Sequence, residues 1–310
     1  MAGRYPPPAA PVQGAASEAA TETDDMTPFG IAGVQMDVPA GAALGDRRDR
    51  MRELIAETRR RFPWVRLVLF SELAAFGDDP ARAEPFPGPV ERGFRKVAAE
   101  AGLWLVPGTF LEREGDRLYN VLPVIDPAGE VVLRYRKILP WHPYEGHVCA
   151  GDAFGVFDVP GVGRFGVSIC YDMMLPETVR QLAFLGAEVV LHPTMTTTLD
   201  REQELVVGRA NAIFNQCYLL DVNGAGALGV GRSQLVGPEG ERLHLAGERE
   251  EIMPIRLDLD RVRNVRRLGT AGTVQLLKTF RDCPVRFPAY EAGAASPALE
   301  ALGPLDMPTE

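Results

Sequence analysis

A chain of 310 residues that is 46% hydrophobic, with a mean hydropathy of -0.06, has the apolar content of a globular protein with a sizeable core. Most of its net charge of -9 sits at the ends: the acids of segments 18–25 and 291–310, set against Arg4, hold -7, which leaves -2 over residues 28–290. A near-neutral body without a dense Lys/Arg patch argues against a nucleic-acid partner, and no apolar run approaches the ~18 residues of a membrane span. The four cysteines are scattered, with no CxxC pair, so neither a disulfide framework nor a zinc ribbon is indicated, and a reduced, cytoplasmic setting is expected.

In chain order, residues 1–27 are rich in Ala, Pro, Thr and acids and read as a disordered tail. Order is expected to begin at Ile31–Met36, a strand, followed by a helix from about Gly45 to Arg60 with Met51, Leu54 and Ile55 on one face. Leu67–Phe70 is a buried strand running into Ser71-Glu72-Leu73, which delivers a carboxylate at the strand's carboxyl end. Val90–Ala101 has helical spacing, Trp104–Val106 reads as a strand, and Leu118–Ile125 with Val131–Tyr135 forms a hairpin around Asp126-Pro127-Ala128-Gly129. Lys137 emerges from its second strand into a loop, ILPWHPYEGHVCAGD, dense in Pro, Gly, aromatics and ionisable groups, and loops of that makeup line sites.

Phe165–Ile169 is the next apolar strand, and Pro176-Glu177 starts a helix, since Pro suits the first helical position. Cys170 therefore falls on the bend between them, at the sheet edge where open α/β sheets place ligands, with the N–H groups of Tyr171 and Asp172 left to face an anion. After it come a helix over Pro176–Leu185, a strand at Val189–His192 and a polar loop at Thr194–Leu199. The pattern continues with a helix over Glu202–Asn215, strands at Tyr218–Asn223, Ser233–Val236 and Ile252–Leu257, and a short helix at Leu259–Leu268. With no repeat and no linker in the middle, residues 28–290 read as one α/β domain, and 291–310 as a loosely ordered C-terminal tail.

Three residues thus sit at the ends of core elements: Glu72, Lys137 and Cys170. A cysteine thiolate is a strong nucleophile once a base takes its proton, and the tetrahedral intermediate of acyl transfer requires a positive or N–H-rich pocket for its oxygen. Taken alone, each has an ordinary reading: a solvated strand-end acid, an exposed lysine and a buried core thiol.

The ordered blocks change that balance. VQM near the start, LFSEL around Glu72, FPGP at 86–89, YN at 119 and 120, DPAGEVVLRYRK ending at Lys137, CYD at 170–172 and GRSQLVGPEGE at 231–241 together resemble the nitrilase, or carbon–nitrogen hydrolase, superfamily over roughly residues 30–270. The resemblance implies a four-layer α-β-β-α sandwich, assembly as a homodimer or larger homo-oligomer, no metal and no cofactor. It also implies a Glu72-Lys137-Cys170 triad with Glu145 as a second catalytic acid, as in aliphatic amidases and formamidases. Tyr171, Trp141, His192 and Thr194 are the expected substrate-binding residues. The implied reaction is hydrolysis of a small linear amide or carbamoyl compound through a cysteine thioester. The alternatives are an acyltransferase passing that thioester to an amine, a catalytically idle binding protein, and a papain-like pairing of Cys170 with His142 or His192.

Overall fold

A computed structural model describes residues 28–142, 144–291 and 293–305, so the expected N-terminal tail lies outside the described residues. The first half runs β1 (Phe29–Gln35), β2 (Asp37–Val38), α1 (Leu44–Arg61), β3 (Val65–Phe70), α2 (Pro89–Ala101), β4 (Trp104–Val106), β5 (Phe110–Glu114), β6 (Arg117–Ile125) and β7 (Val131–Arg136). The second runs β8 (Gly155–Val159), β9 (Gly163–Val167), α3 (Pro176–Phe184), β10 (Val189–Pro193), α4 (Arg201–Asn215), β11 (Tyr218–Val222), β12 (Ala225–Gly226) and β13 (Gln234–Val236). β14 (Arg242–Leu245), β15 (Glu251–Leu257), α5 (Leu259–Leu268), α6 (Leu276–Arg281) and α7 (Pro297–Glu300) complete it.

Two sheets carry the architecture. One has the order β15-β1-β3-β4-β6-β5, with β7 also paired to β6; the other has the order β14-β13-β11-β10-β9-β8. The pleat assigns their faces, because alternate side chains along a strand point to opposite sides. In β3, Leu67 and Leu69 enter the same core as Val189 and Leu191 of β10 and Leu220 of β11, whereas Val68 and Phe70 turn outward to Met51 and Leu54 of α1 and Phe94 of α2. In the second sheet, Val190 and Leu219 turn outward to Val179 and Leu182 of α3 and Ala212 of α4. One core between the sheets and one beneath each helical layer make a four-layer α-β-β-α sandwich.

Local chemistry supports each helix. α1 carries Asp46 in its first turn and Arg59, Arg60 and Arg61 in its last, matching the helix dipole, and buries Met51, Leu54, Ile55 and Thr58 at helical spacing. α2 starts at Pro89 and ends at Gly102, whose φ of 60° is the left-handed conformation in which Cβ-bearing residues are strained. α3 likewise starts at Pro176.

The parallel strands β3, β9, β10 and β11 end on one edge of the sandwich. There the two sheets are tied together by the Glu72 N–H, which donates to the Thr194 carbonyl at 3.2 Å. The segments that follow these strands supply the candidate site. The C-terminal segment from Glu291 is largely exposed and contains the short helix α7.

Candidate active site

Glu72 and Cys170 are placed by tight turns that directly follow parallel strands. Leu73, next to Glu72, has φ 53°, and Cys170 itself has φ 46°, so both sharp turns hold a side-chain-bearing residue in the left-handed region. Such conformations cost on the order of 1–3 kcal/mol and persist only where the surroundings enforce them. Here the Leu73 N–H donates to Thr109 Oγ1 at 3.1 Å. At the other turn Cys170 opens a 3-10 segment, Cys170–Met174, that precedes α3.

Asp172 locks that second turn. Its buried carboxylate accepts from the Ile169 N–H and the Tyr135 hydroxyl on one oxygen, at 2.8 and 2.7 Å, and from the Leu139 N–H on the other, at 2.8 Å. The loop after Lys137 and the turn carrying Cys170 are thereby held to one anchor. Burial raises the Asp172 carboxyl to about 6, against the pull of these donors.

Lys137 is 1% exposed and its ammonium bridges two acids, donating to Glu72 Oε1 at 3.1 Å and to Glu145 Oε2 at 2.6 Å. The same Glu145 oxygen accepts from the Trp141 N–H at 2.6 Å. Asn120, fully buried on β6, adds a second bridge: its Nδ2 donates to Glu72 Oε1 at 2.8 Å and reaches Glu145 Oε1 at 3.5 Å. Two donors therefore occupy Glu72 Oε1, which leaves Oε2 to take a proton from the neighbouring Cys170 thiol.

The charges are mutually dependent. Burial raises the Glu72 pKa, Lys137 opposes the rise and the neighbouring Glu145 adds to it. Burial would lower Lys137, but the carboxylates of Glu72 and Glu145 outweigh it and hold the ammonium protonated far above its usual range. Burial pushes the Cys170 thiol up, Glu72 pushes it further, and Lys137 and the Thr194 hydroxyl pull the other way. The resting sulfur therefore keeps its proton, beside a carboxylate positioned to remove it.

Cys170 opens into a cavity of about 270 Å³, walled by Trp141, Tyr171, Met174 and Met195 and by the start of α4. The Tyr171 N–H, in the first turn of the 3-10 segment, has no partner among the described residues and remains available to an anion. Of the residues expected to touch substrate, Trp141 and Tyr171 line this cavity. Thr194 is fully buried behind it, its hydroxyl 3.1 Å from that of Thr196.

His192 does not reach the cavity. It falls on the same parity of β10 as the outward-facing Val190, and so lies with Ser168, whose Oγ is 2.8 Å from its Nδ1. Burial lowers its pKa to about 4. This corrects the expectation that it binds substrate and removes it as a base for Cys170; His142, the other candidate for that role, is exposed on the loop.

Other residues of the site escape a reading of the sequence. Asn120 falls in the YN pair, to which no role attaches from the sequence alone. Arg201 reads as a helix-start surface residue, yet it is 1% exposed and pairs with Glu204 at 2.9 Å and Asp221 at 3.0 Å, while Thr196 donates to Glu204 at 2.7 Å. Nothing local marks this cluster, because its members converge from α4, β11 and the loop after β10.

The sequence model of the carbon-nitrogen hydrolase family matches residues 30–267. A formamidase of Bacillus thuringiensis (strain Al Hakam) is 30% identical over 281 residues, covering 82% of this chain and 84% of its own, and one of Bacillus cereus (strain AH820) gives the same figures. Among solved structures, Saccharomyces cerevisiae Nit3, of branch 10 of the nitrilase superfamily, superposes with a TM-score of 0.70 at 25% identity, covering 77% of this chain and 93% of that one. A glutamate-to-glutamine mutant of the amidase from Nesterenkonia sp. AN1, carrying the acetamide moiety of fluoroacetamide on its active-site cysteine, gives 0.68 at 25% identity, covering 78% and 95%.

Proposed function

Because the chain belongs to the carbon–nitrogen hydrolase family, we propose that it hydrolyses a small linear amide through a thioester on Cys170. The observation that carries this reading is the buried Lys137–Glu72 pair at 3.1 Å, with Glu72 beside a thiol that opens into a cavity. A buried ion pair is weak evidence of stabilisation, so its use in chemistry is the better account.

In this mechanism Glu72 accepts the Cys170 proton on its free oxygen as the sulfur attacks the amide carbonyl. The developing oxyanion is met by the Tyr171 N–H and by the third Lys137 N–H, the two others being engaged by Glu72 and Glu145. Glu72 returns the proton to the departing nitrogen; ammonia leaves, and the thioester remains. Water then transfers a proton to Glu72, attacks the thioester and releases the carboxylic acid and the free thiol. Glu145, fixed by Lys137 and the Trp141 N–H, orients the amide nitrogen. The similar proteins named formamidase and amidase support this reaction class.

The test is ammonia release from a panel of short amides by the wild type, Cys170→Ala and Lys137→Ala. Cys170→Ala is expected to abolish turnover, and Lys137→Ala to lower it by at least ~10²–10³, the cost of one oxyanion donor. Cys170→Ala retaining more than a few per cent of activity would overturn the assignment. Adding a primary amine separates hydrolysis from acyl transfer, since a transferase would divert the acyl group to the amine.

A further inference from the structure

The cavity beyond Cys170 has a one-sided charge. Its α4 side is lined by Asp200, Gln203 and Glu204, the loop after β10 adds Thr196, Thr197 and Thr198, and no Lys or Arg lines it among the described residues. Two buried cations beside the site are each held by two carboxyls: Lys137 by Glu72 and Glu145, Arg201 by Glu204 and Asp221. Each cation is thus outnumbered by carboxyls; burial raises the Glu204 pKa against the pull of Arg201, and Asp200 adds a further carboxyl at the exposed rim.

Glu204 also retains acceptor capacity. Arg201 donates to its Oε2, and the single Thr196 hydroxyl proton is shared between its two oxygens at 2.7 and 2.8 Å, so Oε1 can accept again. At about 270 Å³ the space is far larger than formamide requires, with room for on the order of nine water-sized groups. A carboxylate entering it would meet two acids and no cation, whereas an ammonium would meet carboxylate and hydroxyl oxygens.

We propose that Glu204, assisted by Asp200, makes this cavity select amides that carry an ammonium group remote from the scissile bond and reject amides that carry a carboxylate there. The inference rests on the amidase reading for its scissile bond, and its test is a binding measurement that does not need turnover. Titration of the full-length Cys170→Ala protein with γ-aminobutyramide, pentanamide and glutaramate compares ammonium, methyl and carboxylate ends on one chain length. The ammonium ligand is expected to bind at least ~10-fold tighter than pentanamide, and glutaramate weakest, as for a charge-assisted hydrogen bond.

Adding Glu204→Gln should remove most of the ammonium preference. Asp200→Asn, at an exposed position, should reduce it in part, which keeps the test valid should the buried variant fold poorly. Glutaramate binding as well as pentanamide, a preference surviving both substitutions, or no binding of any of the three overturns the proposal. Turnover of pentanamide by the unmodified protein separately reports on the hydrolase reading, so the two can fail independently.

Discussion

Replacing Glu145 with glutamine should separate the second carboxyl's role from a scaffolding one. The substitution keeps size and shape, but one end of the new amide must be NH2. With its oxygen toward Lys137 and the Trp141 N–H, each 2.6 Å from the present carboxylate, the NH2 faces Asn120 Nδ2, which lies 3.5 Å from the other oxygen. Two donors then oppose each other, and Asn120 is pushed off Glu72. Loss of a charged hydrogen-bond partner is worth ~1.5–3 kcal/mol, or ~10–10²-fold, before any loss of proton transfer. Turnover should fall at least ~10²-fold, while a small alkylating agent such as iodoacetamide still modifies Cys170. The acid limb of the kcat/KM profile should also move to lower pH, because Glu145 raises the Glu72 pKa and its removal lets Glu72 ionise sooner. Alkylation rate and amide turnover are measured on the same preparation. Turnover near wild type, with an unmoved acid limb, would show that Glu145 only shapes the loop.

Asn120→Ala removes one of the two donors on Glu72 Oε1 and should lower kcat ~10–10²-fold and destabilise the fold by ~1–3 kcal/mol, since Asn120 is buried and a buried acceptor loses a partner; steady-state kinetics and urea unfolding check both. His192, neutral when buried, has its folded pKa near 4 against an ordinary 6.5, so the stability it contributes is present above 6.5 and lost as pH falls toward 4. Urea unfolding should show that ~2 kcal/mol of the wild type's loss between pH 7 and 5 disappears in His192→Asn.

The fold was legible where the pleat and helical period were strong. Leu67-Val68-Leu69-Phe70 is a continuous apolar run because both its faces are covered, and Met51, Leu54 and Ile55 mark a single helix face. The strand Phe110–Glu114 escapes such a reading because its end, Glu112-Arg113-Glu114, pairs with Arg117–Tyr119 at the edge of the first sheet and has the composition of a loop. Gly155–Val159 and Arg242–Leu245 are the two outermost strands of the second sheet and escape it in the same way. An edge strand with one neighbour and a partly exposed face carries a weaker hydrophobic signal than a central one.

The site was legible in part for a similar reason. Glu72, Lys137 and Cys170 each end a recognisable element, so their placement could be read locally. Asn120 could not, because its role depends on β6 bringing an amide between two acids from separate loops. His192 looks equivalent to Cys170 as a strand-end residue, but the pleat turns it toward the helical layer. Arg201 and Glu204 become a buried group only through Asp221, which lies 20 residues from Arg201, on β11.

Everything in the proposed mechanism turns on the acyl group passing through Cys170. Intact-protein mass spectrometry after rapid acid quenching of the protein with a short amide, followed by peptide mapping, tests this most directly. The predicted result is a mass increase equal to the acyl group, located on the peptide containing Cys170, discharged on longer incubation and absent from Cys170→Ala. Steady amide turnover with no adduct on that peptide, and with activity surviving in Cys170→Ala, would contradict it.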